Sequence, residues 1–157
     1  MLTHIDKDGN AKMVDVSNKD NSNRIAIASG FIELNNATIS LIESGNLKKG
    51  DVLTVAKIAG IQASKKTSGL IPLCHNINLD KINIEFRISM KENKIYCQST
   101  IKCSGKTGVE MEALTAVSVS LLTIYDMCKA SDKNMVISEI KLIEKHGGKS
   151  GVWIAKD

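Results

Sequence analysis

Two neighbouring stretches of strict alternation constrain this chain more than any other feature. Ile82, Ile84, Phe86, Ile88 and Met90 fall on one parity, and Asn83, Glu85, Arg87 and Ser89 on the other. Lys91 to Asn93 makes a turn, and in 95–103 the residues Ile95, Cys97, Ile101 and Cys103 again share a face. Successive strand side chains point to opposite faces, so a period of two this clean specifies a half-buried antiparallel hairpin. Its apolar face needs a cover. The chain supplies one directly afterwards, a long helix from about Val109 to Ala130. The charge-free centre of that helix, Ala113 to Tyr125, is shorter than the ~20 residues of a bilayer span. It is expected to be a core helix, with no membrane partner.

The rest of the chain fits around these elements. In 25–34, Ile25, Ile27, Ser29 and Phe31 share one parity, a half-buried strand pattern. Asn35 and Asn36 are good N-cap residues for a short helix containing Ile39 and Ile42, and Gly45 suits its C-terminal end. Asp51 is placed to cap a second helix, Val52 to about Ser64, whose apolar face (Val52, Val55, Ala56, Ala59, Ala63) is mostly small. Gly69 and Pro72 break it. A last strand is expected over about Met135 to Glu144, before the glycine-rich tail Gly147 to Gly151. The order β-α-α-β-β-α-β is, apart from one extra helix, the split-βαβ order. The fold expected is therefore α+β, a ferredoxin-like antiparallel sheet with helices packed on one face. Residues 1–24 are polar and are expected to form a flexible N-terminal arm; 25–157 form a single domain with the glycine-rich tail.

Composition excludes some functions. Only 3% of the 157 residues are aromatic, too few for the stacking platforms of RNA- and single-strand-binding folds. The net charge of +4 has no dense basic run behind it, only Lys48-Lys49 and Lys65-Lys66, so no nucleic-acid partner is expected. A small anionic ligand suits the surplus better. Cys74, Cys97, Cys103 and Cys128 are widely spaced without a C-x-x-C, which argues against a zinc knuckle. Free thiols and an N-terminus without an apolar signal region predict a cytoplasmic setting.

Individual motifs are less decisive. Gly105-Lys106-Thr107-Gly108 resembles a phosphate loop, but Thr100 stands where a Walker A glycine belongs; Gly148-Lys149-Ser150 fails likewise at Ile143. What remains is Lys106 beside the free N–H groups of a helix start, which attract anions. His75 follows Cys74, but adjacent residues on an extended chain point apart, so the two are no nucleophile–base pair. His4 and His146 fall in tails. Asp126, Lys129 and Lys133 share a helix face, and an Asp126–Lys129 pair would fix the lysine. Glu110 and Glu112 sit at the other end of that helix. Glu112 and Asp126 are separated by roughly 21 Å at 1.5 Å rise per residue. One small molecule cannot touch both within a chain, which predicts a symmetric oligomer with sites between subunits.

Several strings then coincide: MVDVS (13–17), KGDV (49–52), AGIQASKKT (59–67), LIPLCH (70–75), GKTGVEMEALTAVSVS (105–120), LTIYDMCKA (122–130) and GGKSG (147–151). Together they closely resemble the molybdenum cofactor biosynthesis protein C family, the cyclic pyranopterin monophosphate synthases. The resemblance implies a ferredoxin-like subunit in a homohexamer, a trimer of dimers. It implies a lyase that converts 3′,8-cyclo-7,8-dihydroguanosine 5′-triphosphate to cyclic pyranopterin monophosphate and releases pyrophosphate, with no metal or organic cofactor. Carried over by motif, Lys49, Asp126 and Lys129 are catalytic. Leu73, Cys74, His75, Glu110, Met111 and Glu112 contact substrate, and Arg24, Lys19, Lys65 and Lys66 are further contacts for its triphosphate or base. Lys57 stands where the family has arginine and Asn76 where it often has proline; neither belongs to that set. Lys49 and Lys129 are expected to transfer protons, with Asp126 tuning Lys129. The rival reading is a non-catalytic ferredoxin-like nucleotide-sensing module, which would have no use for Lys49, Asp126 and Lys129.

Overall fold

A computed structural model describes residues 3–47 and 50–156. Its elements are β1 (Ser22–Glu33), α1 (Asn36–Glu43), α2 (Val52–Lys65), α3 (Thr67–Leu70), β2 (Lys81–Ser89), β3 (Lys94–Gly105), α4 (Glu110–Cys128), β4 (Val136–His146) and β5 (Trp153–Ile154). The strands form one antiparallel sheet in the order β2-β3-β1-β4-β5, so the first four follow the ferredoxin-like arrangement. The hairpin pairs as the alternation predicts, with Ile84 opposite Ser99 and Ile82 opposite Ile101. Two elements were not expected. A single-turn α3 follows α2, and the glycine-rich tail returns to add β5 beside Glu144 and Lys145. His146, expected in a tail, is the last residue of β4, where it hydrogen-bonds Glu144.

The caps explain the helix boundaries. Asn35 accepts from the Thr38 N–H at 2.8 Å, and Asp51 accepts from the Thr54 N–H at 3.0 Å. Gly45 takes a positive φ of 67° just past α1, where a β-carbon would be strained. The carboxylate of Asp132, buried after α4, accepts from the Asn35 N–H at 2.8 Å and ties the start of α1 to the end of α4.

The core lies between the sheet and α2 and α4. On α4 it takes Ala113, Ala116, Val117, Ser120, Leu121, Ile124, Met127 and Cys128, a continuous stripe at helical spacing. By length and apolarity α4 could cross a membrane, but in this structure half of it is buried as the core helix. The parity of β1 differs from a simple reading of its large residues. The fully buried side is Ala26, Ala28, Gly30 and Ile32, whereas Ile25, Ile27 and Ser29 are half-buried on the other face. The small residues let α4 come close: a β-carbon on Gly30 would lie 3.2 Å from both Leu121 Cδ1 and Val117 Cγ1. Gly60 does the same for α2 against α4, and Ser120 Oγ donates to the Ala56 carbonyl at 3.1 Å. Val55, expected on the buried face of α2, is 41% exposed; Gly60 and Ser64 take its share.

Candidate functional site

The start of α4 and the segment after α3 enclose a cavity of about 330 Å³. Its walls include Leu73, Cys74, His75, Glu110 and Met111, all named from the sequence, and also His4 from the arm. Among the described residues no Phe, Tyr or Trp lines it, so a ring bound here would meet polar groups and aliphatic walls. Two of the few aromatics are used elsewhere: Phe31 and Tyr96 pack with tilted rings, centroids 5.6 Å apart, on the opposite sheet face, each 4.0 Å from a cation, Lys94 and Arg87 respectively.

Each polar group in the cavity has a defined setting. His75 lies 2.8 Å from the Val14 carbonyl through Nε2. A carbonyl only accepts, so Nε2 carries a proton and donates to it. Behind Cys74 lies Glu112, only 3% exposed. The Cys74 thiol donates to Glu112 Oε1 at 3.7 Å, and Oε2 has no hydrogen-bond partner. Burial raises the Glu112 carboxyl above the usual range. Burial, with Glu112 adding to it, pushes the Cys74 thiol up to about 11, so Cys74 is a neutral donor and no thiolate nucleophile. Gly108 leaves room for the Glu110 side chain, whose Oε2 would be 2.1 Å from a β-carbon there. Glu110 Oε1 in turn pairs with Lys145 Nζ at 3.1 Å. Lys145 was not foreseen; the signal was its place on β4, which the sheet order sets beside β1.

A second, polar cavity of about 560 Å³ gathers Lys19 and Arg24 with Lys149 and Ser150 of the tail. Arg24 donates to the Gly105 and Lys106 carbonyls, both at 3.4 Å, so it braces the loop that leads into α4. Gly148, at φ 73°, lies against its guanidinium, where a β-carbon would be 1.8 Å from Nη1. Lys106 donates to the Ser17 carbonyl at 2.7 Å, which holds the arm over this loop.

The remaining predicted residues lie apart. Lys129 Nζ and Asp126 Oδ1 are 2.6 Å apart at the far end of α4, with both side chains more than half exposed. The hydrogen bond to Asp126 holds the Lys129 ammonium above its ordinary value. Lys129 is therefore a stabilised cation, fitted to donate a proton or neutralise charge; the downward tuning a lysine base needs is absent from this environment. Lys133 does not share their face, because α4 ends at Cys128. Lys65 is in the last turn of α2 and Lys66 is its C-cap. Lys66 borders an apolar groove with Val55, Ile58 and Leu70, separate from the Arg24 cavity. Lys49 lies outside the described residues. Among the described residues no three His, Cys, Asp or Glu side chains converge as a metal-binding set.

The ferredoxin-like sheet thus carries, along its covering helix, a cavity beside Glu110 at one end and an acid–lysine pair at the other, ionisable groups of the kinds enzymes use to move protons. The chain belongs to the MoaC family, whose model matches residues 13–148. It is similar to a protein of Novosphingobium aromaticivorans named cyclic pyranopterin monophosphate synthase, with 57% identity over 156 residues, 99% of this chain and 98% of that one.

Proposed function

We propose that this chain is a cyclic pyranopterin monophosphate synthase. It converts 3′,8-cyclo-7,8-dihydroguanosine 5′-triphosphate to cyclic pyranopterin monophosphate and releases pyrophosphate, as a phosphorus–oxygen lyase of molybdenum cofactor biosynthesis. The observation that carries the reading is likeness to a synthase at 57% identity over 99% of this chain and 98% of that one. Free thiols throughout the chain support a reducing, cytoplasmic setting.

The chemistry opens an imidazole ring, closes a pyrazine ring and attacks a phosphate with a ribose hydroxyl. Every step moves protons, and the leaving pyrophosphate needs cations. Leu73, Cys74, His75 and Met111 hold the base, with Glu112 contributing through Cys74, which it backs. Arg24, Lys19 and Lys149 face the triphosphate. Lys65 and Lys66 reach it from a neighbouring subunit. Lys49 is the proton-transfer partner, and Lys129, kept charged by Asp126, serves as acid or charge neutraliser.

The protein works as a homohexamer, a trimer of dimers. Two features support assembly: Glu112 and Asp126 lie roughly 21 Å apart along α4, and Val55, Ile58, Leu70 and Leu122 expose apolar surface along α2, α3 and α4. Mixing the purified protein with the cyclic dihydro-GTP and measuring pyrophosphate tests the function. Release in step with pterin formation is expected; no release from that substrate overturns the reading.

A further inference from the structure

The sequence offers Lys106 as a free cation beside the start of α4. In the structure its ammonium is engaged. Nζ donates to the Ser17 carbonyl at 2.7 Å and lies within electrostatic reach of the Asp15 carboxylate. The stretch it holds has a shape of its own. Asp15 Oδ1 accepts from the Ser17 N–H at 2.8 Å and from the Ser17 hydroxyl at 2.6 Å. The Lys19 N–H donates to the Val16 carbonyl at 3.1 Å, which closes a turn around the Ser17 carbonyl. Fixing that carbonyl therefore fixes the turn from which Lys19 emerges. On the other side of Asp15, the Val14 carbonyl is tied to His75 at 2.8 Å. Lys106 does not line the polar cavity, whereas Lys19 and Arg24 do. It bears on both through two different groups: its carbonyl accepts from Arg24 Nη2 at 3.4 Å, and its ammonium holds the turn before Lys19.

We propose that Lys106 is a positioning residue for the polar cavity: its ammonium locks the turn that presents Lys19, so that Lys19 and Arg24 meet a polyphosphate as a preset pair, while Lys106 touches no phosphate itself. The polyphosphate as ligand rests on the synthase reading above; the lock on the arm does not. The gain is preorganisation. A lysine on a loose segment gives up chain and rotamer freedom when it binds, and less is lost where the segment is already fixed. A lysine in direct contact with phosphate acts instead through its own charge. The two roles therefore answer differently to mutation.

Hydrogen exchange of the full-length protein reads the lock. Lys106→Met keeps the aliphatic stem and the carbonyl that Arg24 uses, and removes only the ammonium. Exchange of the Lys19 amide should quicken roughly tenfold, the worth of one hydrogen bond to a charged group, while the amides of α4 keep their rates. Lys106→Arg, which restores a donor, should restore most of the protection. An unchanged Lys19 amide in Lys106→Met overturns the proposal, and an unprotected Lys19 amide in the wild type overturns it without any variant. A double-mutant cycle reads the role. The kcat/KM for the cyclic dihydro-GTP should fall about tenfold in Lys106→Met, about tenfold in Lys19→Ala, and little further in the double variant. Independent contacts give additive free-energy losses, here about a hundredfold in rate; that result, or an unchanged kcat/KM in Lys106→Met, overturns the positioning role. A protein whose Lys19 amide is released by Lys106→Met but which turns over no substrate refutes the synthase reading and the phosphate role with it, and leaves the lock standing.

Discussion

Gly60→Ala probes the contact on which the core and the site both depend. A β-carbon at Gly60 would lie 2.1 Å from Ser120 Oγ, 2.5 Å from Ile84 Cδ1 and 2.9 Å from the Ala116 carbonyl oxygen. The first two are side-chain atoms that can move, but Ala116 O is backbone of α4, so the helices must separate. Overpacking of this kind costs about 1–3 kcal/mol. Turning Ser120 away forfeits its hydrogen bond to Ala56, about another 1 kcal/mol. Alanine returns roughly 0.5–1 kcal/mol through its lower unfolded-state entropy and better helix propensity. The net loss is about 2 kcal/mol, or a fall in Tm of roughly 4–8 °C for a chain of this size. Circular dichroism on heating and in urea, at one fixed protein concentration because association shifts the midpoint, measures it. Adding Ser120→Ala removes the shortest contact and should restore part of the loss. A Gly60→Ala protein as stable as the wild type would show that α2 and α4 are not packed through this glycine.

Other consequences follow from the site. Asp126→Ala and Lys129→Ala should each lower turnover by about 10²-fold or more without changing the wild-type molecular mass in solution, as read by steady-state assay and light scattering; near-normal activity of either removes its assigned role. With the Cys74 thiol near 11, only roughly one molecule in a thousand is a thiolate at pH 8; iodoacetamide should therefore modify Cys74 far more slowly than free cysteine, and rapid labelling would contradict its burial beside Glu112. The stability that Glu112 contributes is complete below its unfolded-state value near 4.5, because its folded value is raised, and it is lost as pH climbs through that folded value. Unfolding midpoints should fall in that window for the wild type and not for Glu112→Gln. Asn35→Ala removes the α1 cap and should cost about 1 kcal/mol, measured by urea unfolding.

The sequence was most legible where a period repeats or a cap sits at a fixed offset. The hairpin parity, the α4 stripe and the caps at Asn35 and Asp51 follow from local geometry alone. It was least legible where the outcome depends on a partner far along the chain. The large residues of β1 suggested one face, but α4 demands close approach, so Ala26, Ala28 and Gly30 take the core side. β5 is only two residues long and exists because β4 offers it an edge. His4 joins the cavity, and Lys145 pairs with Glu110 of its wall, through contacts across the fold that no local pattern encodes. The motif residues around Cys74 and Glu110 did converge, whereas Lys66, a few residues before those of the first motif, borders a different groove.

That divergence bears on how the site is completed. α4 is an unbroken helix of 19 residues, and it is buried along its length against a sheet that fixes its axis. It cannot bend to bring Asp126 toward Glu112. A substrate seated on Cys74 and Glu112 therefore meets an Asp126–Lys129 pair only if another α4 presents one. A twofold axis suits this requirement, because an isologous interface repeats each contact in both directions and so would complete two cavities at once. Mixed oligomers test this without any structure of the complex. Asp126→Ala and Glu112→Ala subunits, each inactive alone, should regain activity when refolded together, because some composite sites then have both intact halves. If each site is built within one chain, the mixture stays as inactive as its parents.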